Sequence, residues 1–402
     1  MLALKKNNPI LTAPLEWVAA LALTVPTYII FFIGMEPYMQ AIAYSLYGIP
    51  ICLVFIRKRH FPLSPRFIIL WTIFLVFWIT PSILNRISPT LESDLVSLPV
   101  LFYHVVMLSA VVIFLNIYVQ DKKSISKELL MRSIFWTLAP MVLLIFFKTI
   151  YLDFQEDARP SPFRVNTNTN AEIIFTFMLV AFRLTGNIIK FIAIVLAITT
   201  CYILESRGGL IACYIALLLT YGLPWLHANF KHKYFLFFLF VIFFISVFFY
   251  NEIYSLVNSV LMLDIRLSSL TDRFIVWELA IESIIQKPFS GTGFWVNPMG
   301  YSVPKGFPEW ATIDNYQLVV HNAFLRIATE NGLLLFLMII SFVVISCYRL
   351  LKNKFFKDFA LVISVLFFLF FCTRHLTLNL MNVLLYFTFI RALTLDRKFS
   401  SK

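Results

Sequence analysis

Residues 332–348 read GLLLFLMIISFVVISCY, an apolar run that no charged residue interrupts. A transmembrane helix needs about 20 mostly apolar residues, so this run predicts one membrane span. The whole chain is 60% hydrophobic and only 13% charged, with a mean hydropathy of +0.85. Soluble domains carry about a quarter of their residues as charges, so the composition indicates a polytopic membrane protein.

The same criterion applied along the chain predicts about twelve spans. We therefore expect an all-α fold with one integral membrane domain over residues 1–402, in which the N-terminus leads directly into an uncleaved first span. The sixth and seventh spans are the shortest. The predicted spans cover residues 15–35, 39–56, 67–84, 97–119, 133–151, 171–184, 190–204, 209–226, 234–250, 332–348, 359–374 and 377–395.

Basic residues concentrate in the loops on one side of these spans. With twelve spans, all of the basic loops and both termini fall on the same side, which the positive-inside rule assigns to the cytoplasm. The net charge of +12 therefore reflects orientation in a membrane rather than nucleic-acid binding. The Lys and Arg clusters lie at 57–60, 120–132, 227–233, 349–357 and 396–402.

The opposite side holds the one sizeable extramembrane segment, a loop over residues 251–331 between the ninth and tenth spans. We expect it to form a periplasmic helical cap. TDRFIVWELAIESIIQ spaces its apolar residues at helical intervals, which predicts a helix over about 267–286. Beyond Lys287 and Pro288, frequent glycine and proline predict irregular chain.

The five cysteines all lie within or at the ends of apolar runs, and none has CxxC spacing. They are interpreted as structural thiols rather than as a disulfide framework or a metal site. In the periplasmic loops, Glu156 and Asp157 are only a weak candidate for metal binding. We therefore expect no metal and no cofactor.

Charged groups at membrane depth are costly and usually mark function. The first such place is ESRGG (205–209), where Arg207 precedes Gly208 and Gly209 at the start of a predicted helix. A helix N-terminus beside an arginine is a natural anion site. A tight turn with an arginine reaching to the interface is an equally good interpretation.

Two further clusters lie on the same side. In LTDRFIVWEL (270–279), Asp272 can cap a helix whose first turn contains Arg273, although an interfacial amphipathic helix is the slightly favoured interpretation. In VHNAFLRIATENG (320–332), His321, Asn322 and Leu325 are expected to share one helix face. Histidine titrates near neutrality, which suits proton transfer. A lone histidine at a bilayer edge is, however, more often a satisfied polar residue.

A fourth cluster, Arg159 and Arg164, lies in a proline-bounded loop that could hold sugar or phosphate, although a solvated loop is favoured on sequence grounds. The first three clusters, which contain Arg207, Arg273 and His321, lie on the same predicted side of the membrane. Together they suggest a shared, multiply charged ligand at the membrane surface. A lipid-linked pyrophosphate fits this description. Arginines could neutralise a pyrophosphate leaving group without a metal, and a histidine could take the proton of an acceptor hydroxyl.

These segments, in this order and orientation, resemble the O-antigen ligase family, which shares a superfamily with Wzy-type polymerases and is organised like the GT-C membrane glycosyltransferases. SRGG with Arg207 and DRFIVWELAIESIIQKPFSGTGF with Arg273 look like the family's two periplasmic arginine segments. HNAFLRIATENG resembles the ligase motif in which His-Asn precedes a glycine, matched here by His321, Asn322 and Gly332. Leu335 departs from the small, Thr or Tyr residue of that pattern.

The resemblance implies a metal-independent, inverting glycosyl transfer at the periplasmic face of the bacterial inner membrane. The donor would be an undecaprenyl-pyrophosphate-linked glycan and the acceptor a lipid A–core oligosaccharide, with membrane lipids as the other partners and no nucleic acid. Arg207 and Arg273 would bind the pyrophosphate and His321 would activate the acceptor hydroxyl. Further substrate contacts are expected at Asn322, Arg159, Arg164 and Gly208.

Two alternatives remain. A Wzy-type polymerase would use the same donor and a second lipid-linked repeat unit as acceptor. The basic loop with Arg159 and Arg164 points to it, whereas the compact chain and the spacing from His-Asn to glycine favour a ligase. A lipid-linked glycan transporter would predict charged or broken helices near the bilayer midplane and repeats between halves, and neither is evident.

His104, deep in an apolar run, is interpreted as a packed core residue.

Overall fold

The part of the chain that the structure describes is helical. The computed structural model describes residues 15–33, 65–87, 127–153, 167–184, 186–204, 206–224, 280–292, 322–371 and 380–394, with positions 46, 49 and 277 and parts of 105–116. Helices and short connections make up these residues, without a β-strand among them. The all-α prediction is confirmed for this part of the chain.

The helices fall where the apolar runs predict them. Residues 280–286 form a short helical segment within the predicted loop 251–331. The ninth predicted span lies outside the described residues, and the second and fourth are described only in part. The helices are α1 (Leu15–Ile33), α2 (Pro65–Ile87), α3 (Lys127–Asp153), α4 (Thr167–Ala181), α5 (Asn187–Ile203), α6 (Arg207–Leu217) with a π-helical continuation (Leu218–Gly222), α7 (Ala323–Lys352), α8 (Phe356–Phe371) and α9 (Leu380–Thr394).

Two of the described helices are long and apolar enough to cross a membrane by themselves. They are Glu128–Tyr151 within α3 and Ala323–Lys352, which is α7. Large apolar side chains on outer faces stay exposed, including Leu70 on α2, Phe147 on α3 and Phe191 on α5. Exposed apolar surface of this extent is expected where lipid, not water, surrounds the helices. The total of twelve spans and the periplasmic cap remain predictions.

Helices α4 and α8 lie at the centre of the packing. Helix α4 contacts α3, α5, α6 and α9, and α8 contacts α6, α7 and α9. The rings of Phe175 on α4 and Phe368 on α8 stack 5.1 Å apart, and both are fully buried. Because apolar burial against lipid gains little, close packing of this kind is what holds the helices together.

Asp358 at the start of α8 is a buried carboxylate shared by two arginines. Its Oδ1 lies 2.5 Å from Arg183 Nη2, just beyond α4, and its Oδ2 lies 2.5 Å from Arg391 Nη1, near the end of α9. The Arg391 guanidinium also lies 4.6 Å from the ring centre of Phe355. These positions are the predicted cytoplasmic ends of the sixth, eleventh and twelfth spans, so the contact agrees with the predicted alternation of spans.

Three cysteines within the described helices form no disulfide bond. Cys201 and Cys213 are buried on α5 and α6, and Cys347 is half-buried on α7. Their packing agrees with the interpretation as structural thiols. Cys52 and Cys372 lie outside the described residues.

Candidate functional site

Helix α7 is broken at Gly332. Gly332 has φ 79° and ψ 168°, a backbone conformation that only glycine adopts readily. The break divides α7 into an N-terminal segment, 323–331, and a longer segment, 333–352. At 1.5 Å per residue the longer segment is roughly 30 Å long, and its uncharged part, 333–348, ends directly before Arg349.

A turn over residues 287–292 fills the break with its own backbone. In an unbroken α-helix the Leu333 N–H would donate to the Thr329 carbonyl. Here the Leu333 N–H donates to the Pro288 carbonyl at 2.7 Å, and the Thr329 carbonyl accepts from the Thr292 N–H at 2.8 Å and from its hydroxyl at 3.2 Å. The turn thus supplies a new partner for each of the two groups of this helical hydrogen bond, which the break removes from α7. We call this set of contacts the helix splice.

Two glycines make the helix splice sterically possible. A Cβ on Gly332 would lie 2.3 Å from the Phe289 carbonyl oxygen, and a Cβ on Gly291 would lie 2.4 Å from the Glu330 carbonyl oxygen. Both distances are far below van der Waals contact with backbone that cannot move aside. Gly291 also has a positive φ of 60°. Both positions therefore require glycine for conformation and for space.

Asn322 forms the N-cap of α7. Its backbone is extended, and its Oδ1 accepts hydrogen bonds from the N–H groups of Phe324 at 3.0 Å and Leu325 at 3.1 Å. Only 1% of the residue is exposed. Its Nδ2 is buried, and no described residue accepts a hydrogen bond from it. The expectation that Asn322 shares a helix face with Leu325 is wrong, because the helix begins one residue later and the Asn322 side chain folds back over its first turn.

The segment 323–331 is held by further polar contacts. Arg326 Nε and Glu330 Oε1 form a largely buried ion pair at 2.5 Å, one helical turn apart. Asn331 Nδ2 donates to the Trp78 carbonyl of α2 at 3.0 Å. Arg326 and Glu330 had no role in the sequence analysis. Because they neutralise one another, they orient the segment without adding net charge to it.

The helical segment before the turn packs on the same part of α7. Trp277, Ala280 and Leu325 form a small apolar cluster. The Trp277 ring lies 5.5 Å from that of Phe370 near the end of α8, and the Phe370 ring lies 6.4 Å from that of Phe324. The chain that follows Arg273 by a few residues is therefore packed against the N-terminal turn of α7.

The connection between α5 and α6 contains Arg207. Ser206 is the buried N-cap residue of α6, and Arg207 is the first residue of the helix. Gly209 lies close to α4, since a Cβ there would be 2.9 Å from the Cβ of Ala171. Gly208 is half-buried beside it. The start of α6 therefore packs tightly against the start of α4.

The structure describes the predicted site in part. Asn322, Gly208 and the backbone of Arg207 are described, whereas the Arg207 side chain, His321, Arg273, Arg159 and Arg164 lie outside the described residues. Asn322 is the N-cap and Gly208 lies in the first turn of α6. Gly291 and Thr292 have roles in the helix splice that their local sequence did not predict. The KPFSGTG run contained both residues, but nothing in it indicated which helix the run would contact.

Comparison with protein families agrees with this geometry. Residues 192–340 match the Wzy_C family model, which is described as O-antigen ligase. These residues are therefore similar to the O-antigen ligase family. The matched range begins within α5, contains the start of α6 and both halves of the helix splice, and ends within α7. No curated protein matches the chain.

The matched family indicates a general chemistry. The family is membrane-embedded, includes O-antigen ligases and Wzy polymerases, and implies enzymes that transfer lipid-linked glycans. The suspected resemblance is thereby confirmed at the level of the family. Among the residues that the structure describes, no group of three metal-binding side chains lies together.

Proposed function

We propose that the protein is an O-antigen ligase, which transfers an undecaprenyl-pyrophosphate-linked O-antigen polysaccharide onto lipid A–core oligosaccharide. The observation that carries this proposal is the helix splice within the matched family domain. It holds the segment that follows Arg273 against the segment that follows His321 by direct backbone hydrogen bonds. Two parts of the matched range that are far apart in sequence are therefore in direct contact.

The position of the splice suits a lipid-linked substrate. The uncharged run 333–348 spans most of the hydrocarbon layer by itself, so we place Asn322, at the start of α7, near the lipid headgroups. The positive-inside rule places this end of α7 in the periplasm. A polyprenyl chain could remain in the bilayer while its pyrophosphate and glycan reach the site.

The proposed mechanism needs an anion site and a base. Arg207 opens α6, where the partial positive charge of a helix N-terminus favours anionic oxygens. Arg207 and Arg273 would hold the pyrophosphate and stabilise the charge that develops as it leaves. His321, directly before the Asn322 cap, would take the proton from the acceptor hydroxyl as that oxygen attacks the anomeric carbon. One attack of this kind inverts the anomeric configuration.

The Wzy-type polymerase is the second candidate. Leu335 favours it, because this position departs from the ligase pattern, and the structure buries Leu335 in the first turn after the break, with 2% exposed. The arginines in the predicted loop at 159 and 164 favour it as well. The two candidates share the donor and differ in the acceptor, so they are separated by the product.

The transporter hypothesis also predicted a broken helix. The break in α7 lies toward one end of the helix rather than at its middle, and the turn 287–292 satisfies the backbone groups around it. A transporter's broken helix would instead leave backbone groups for the substrate near the bilayer midplane. The break therefore favours a fixed site at the membrane surface over a transport path.

The phenotype of a deletion strain tests the proposal. Loss of a ligase leaves polymerised glycan on its lipid carrier and bare core at the cell surface. Loss of a polymerase leaves core that carries a single repeat unit. Electrophoresis of lipopolysaccharide and extraction of the lipid-linked pool distinguish the two patterns. Unchanged lipopolysaccharide together with an unchanged lipid-linked pool would contradict both enzymatic proposals.

A further inference from the structure

The structure shows one role for the Asn322 side chain, and only its oxygen atom takes part in it. The Oδ1 atom caps α7 by accepting two backbone hydrogen bonds. The Nδ2 atom is buried, and within the described part of the chain it has no acceptor. A buried donor without an acceptor is costly and rare in folded proteins, and it often marks a functional requirement.

The hydrogen bonds determine the orientation of this amide. If the side chain were flipped, its NH2 group would face the N–H groups of Phe324 and Leu325, and three donors would meet without an acceptor. The oxygen must therefore face the helix and the NH2 group must face away from it. The group that Asn322 presents at the N-terminus of α7 is consequently a donor.

Capping alone does not explain asparagine at this position. Serine and aspartate cap helix N-termini about as well as asparagine, and neither would leave a buried NH2 group without an acceptor. The two N–H groups that donate to Oδ1 also polarise the amide, which strengthens Nδ2 as a donor. The segment 323–331 adds the partial positive charge of its N-terminus, since the Arg326–Glu330 pair is neutral overall.

We propose that Asn322 Nδ2 donates a hydrogen bond to a phosphoryl oxygen of the lipid-linked pyrophosphate donor. The helix N-terminus and the polarised amide both favour an anionic acceptor over a neutral hydroxyl. This inference deepens the proposed function and rests on it for the identity of the lipid. It assigns Asn322 to the donor substrate and makes it a binding residue with a second, structural task.

Two substitutions separate the two tasks. Asn322→Asp keeps an oxygen that can cap α7 but replaces the NH2 group with an anionic oxygen. Asn322→Ser keeps a capping oxygen and removes the NH2 group without adding charge. Asn353→Asp, at the other end of α7, is the matched control. Asn353 donates to the Arg349 carbonyl at 2.8 Å and lies far from the splice.

The experiment uses the full chain in lipid nanodiscs. Thermal unfolding measures the cap, and binding of a polyprenyl pyrophosphate measures the donor site independently of transfer. We expect Asn322→Asp and Asn322→Ser to unfold near the wild-type temperature and to weaken polyprenyl pyrophosphate binding about tenfold or more. In the transfer assay the KM for the lipid-linked donor should rise, whereas that for the acceptor should not. Asn353→Asp should bind like the wild type.

The outcomes separate this inference from the proposed function. Wild-type binding by both Asn322 variants would overturn the inference and would show a capping role or a buried water instead. A raised KM for the acceptor alone would also overturn it. If the wild type binds polyprenyl pyrophosphate, both variants bind it weakly, and no glycan transfer occurs, the inference stands and the proposed function fails.

Discussion

A Cβ atom on Gly291 would lie 2.7 Å from the backbone nitrogen of Gly332. The two glycines are 41 positions apart in sequence, yet their backbones touch, and both have positive φ angles. This contact joins the turn 287–292 to the broken helix α7. The contact joins two sequence motifs within the matched range 192–340. A substitution at either glycine should therefore disturb both motifs.

Gly332→Ala and Gly291→Ala should each destabilise the protein. Each would combine a strained positive φ, which costs about 1–3 kcal/mol, with overlap against a carbonyl group. We expect a lower unfolding temperature in detergent and a reduced yield of folded protein. Gly222→Ala is the matched control, because no atom lies within 4 Å of the Cβ position there. Wild-type stability of both splice variants would contradict the backbone contact.

Asp358→Asn should destabilise the end of the helix bundle that lies away from the helix splice. It would leave Arg183 and Arg391 without their shared carboxylate, and removing one partner from a buried ion pair costs about 3–5 kcal/mol. Thermal unfolding measures the loss, and transfer per folded molecule should stay near wild type. Glu128→Gln breaks an exposed pair with Arg132 and should cost less than about 1 kcal/mol. Equal effects of the two substitutions would show that the Asp358 cluster contributes little.

His321→Ala should abolish detectable glycan transfer and leave the protein in the membrane. General base catalysis by a positioned side chain contributes about 10²–10⁴-fold, so transfer should fall by at least the lower figure. Purified protein, a lipid-linked donor and a core acceptor provide the assay. His232→Ala, in a loop predicted to be cytoplasmic, is the matched control. Full activity of the His321 variant would exclude the general-base role.

Arg207→Ala and Arg273→Ala should each impair transfer and raise the KM for the donor. Lysine at either position should recover little, because an ammonium group cannot reproduce the two parallel hydrogen bonds of a guanidinium group. Arg132→Ala and Arg132→Lys on the exposed side of α3 serve as controls and should have wild-type kinetics. Recovery by lysine would indicate a simple charge contact. Wild-type kinetics of both alanine variants would remove these arginines from the site.

Much of the architecture follows from apolar runs alone. Described helices lie at nine of the predicted spans, including the short sixth and seventh. Within a membrane, each spanning segment must form its backbone hydrogen bonds internally, so a long apolar run predicts a helix. Gly332 was identified only by the resemblance to the ligase motif, and no local pattern predicted that α7 breaks there. The start of α7 was harder to predict, because the capping residue Asn322 and the residues of the first turn look alike in a helical pattern.

Composition, apolar run length and short motifs are local properties, so they were enough to predict a helical membrane protein whose residues 192–340 are similar to the O-antigen ligase family. Tertiary contacts were needed to show that residues 287–292 bond to the break in α7 and that Asp358 joins Arg183 to Arg391. They also show that Asn322 caps α7 while its Nδ2 has no acceptor among the described residues. Each of these depends on backbone groups or charges that are distant in sequence. Their pairing is set by the directions of hydrogen bonds and by the absence of a Cβ at two glycines, which no local pattern records.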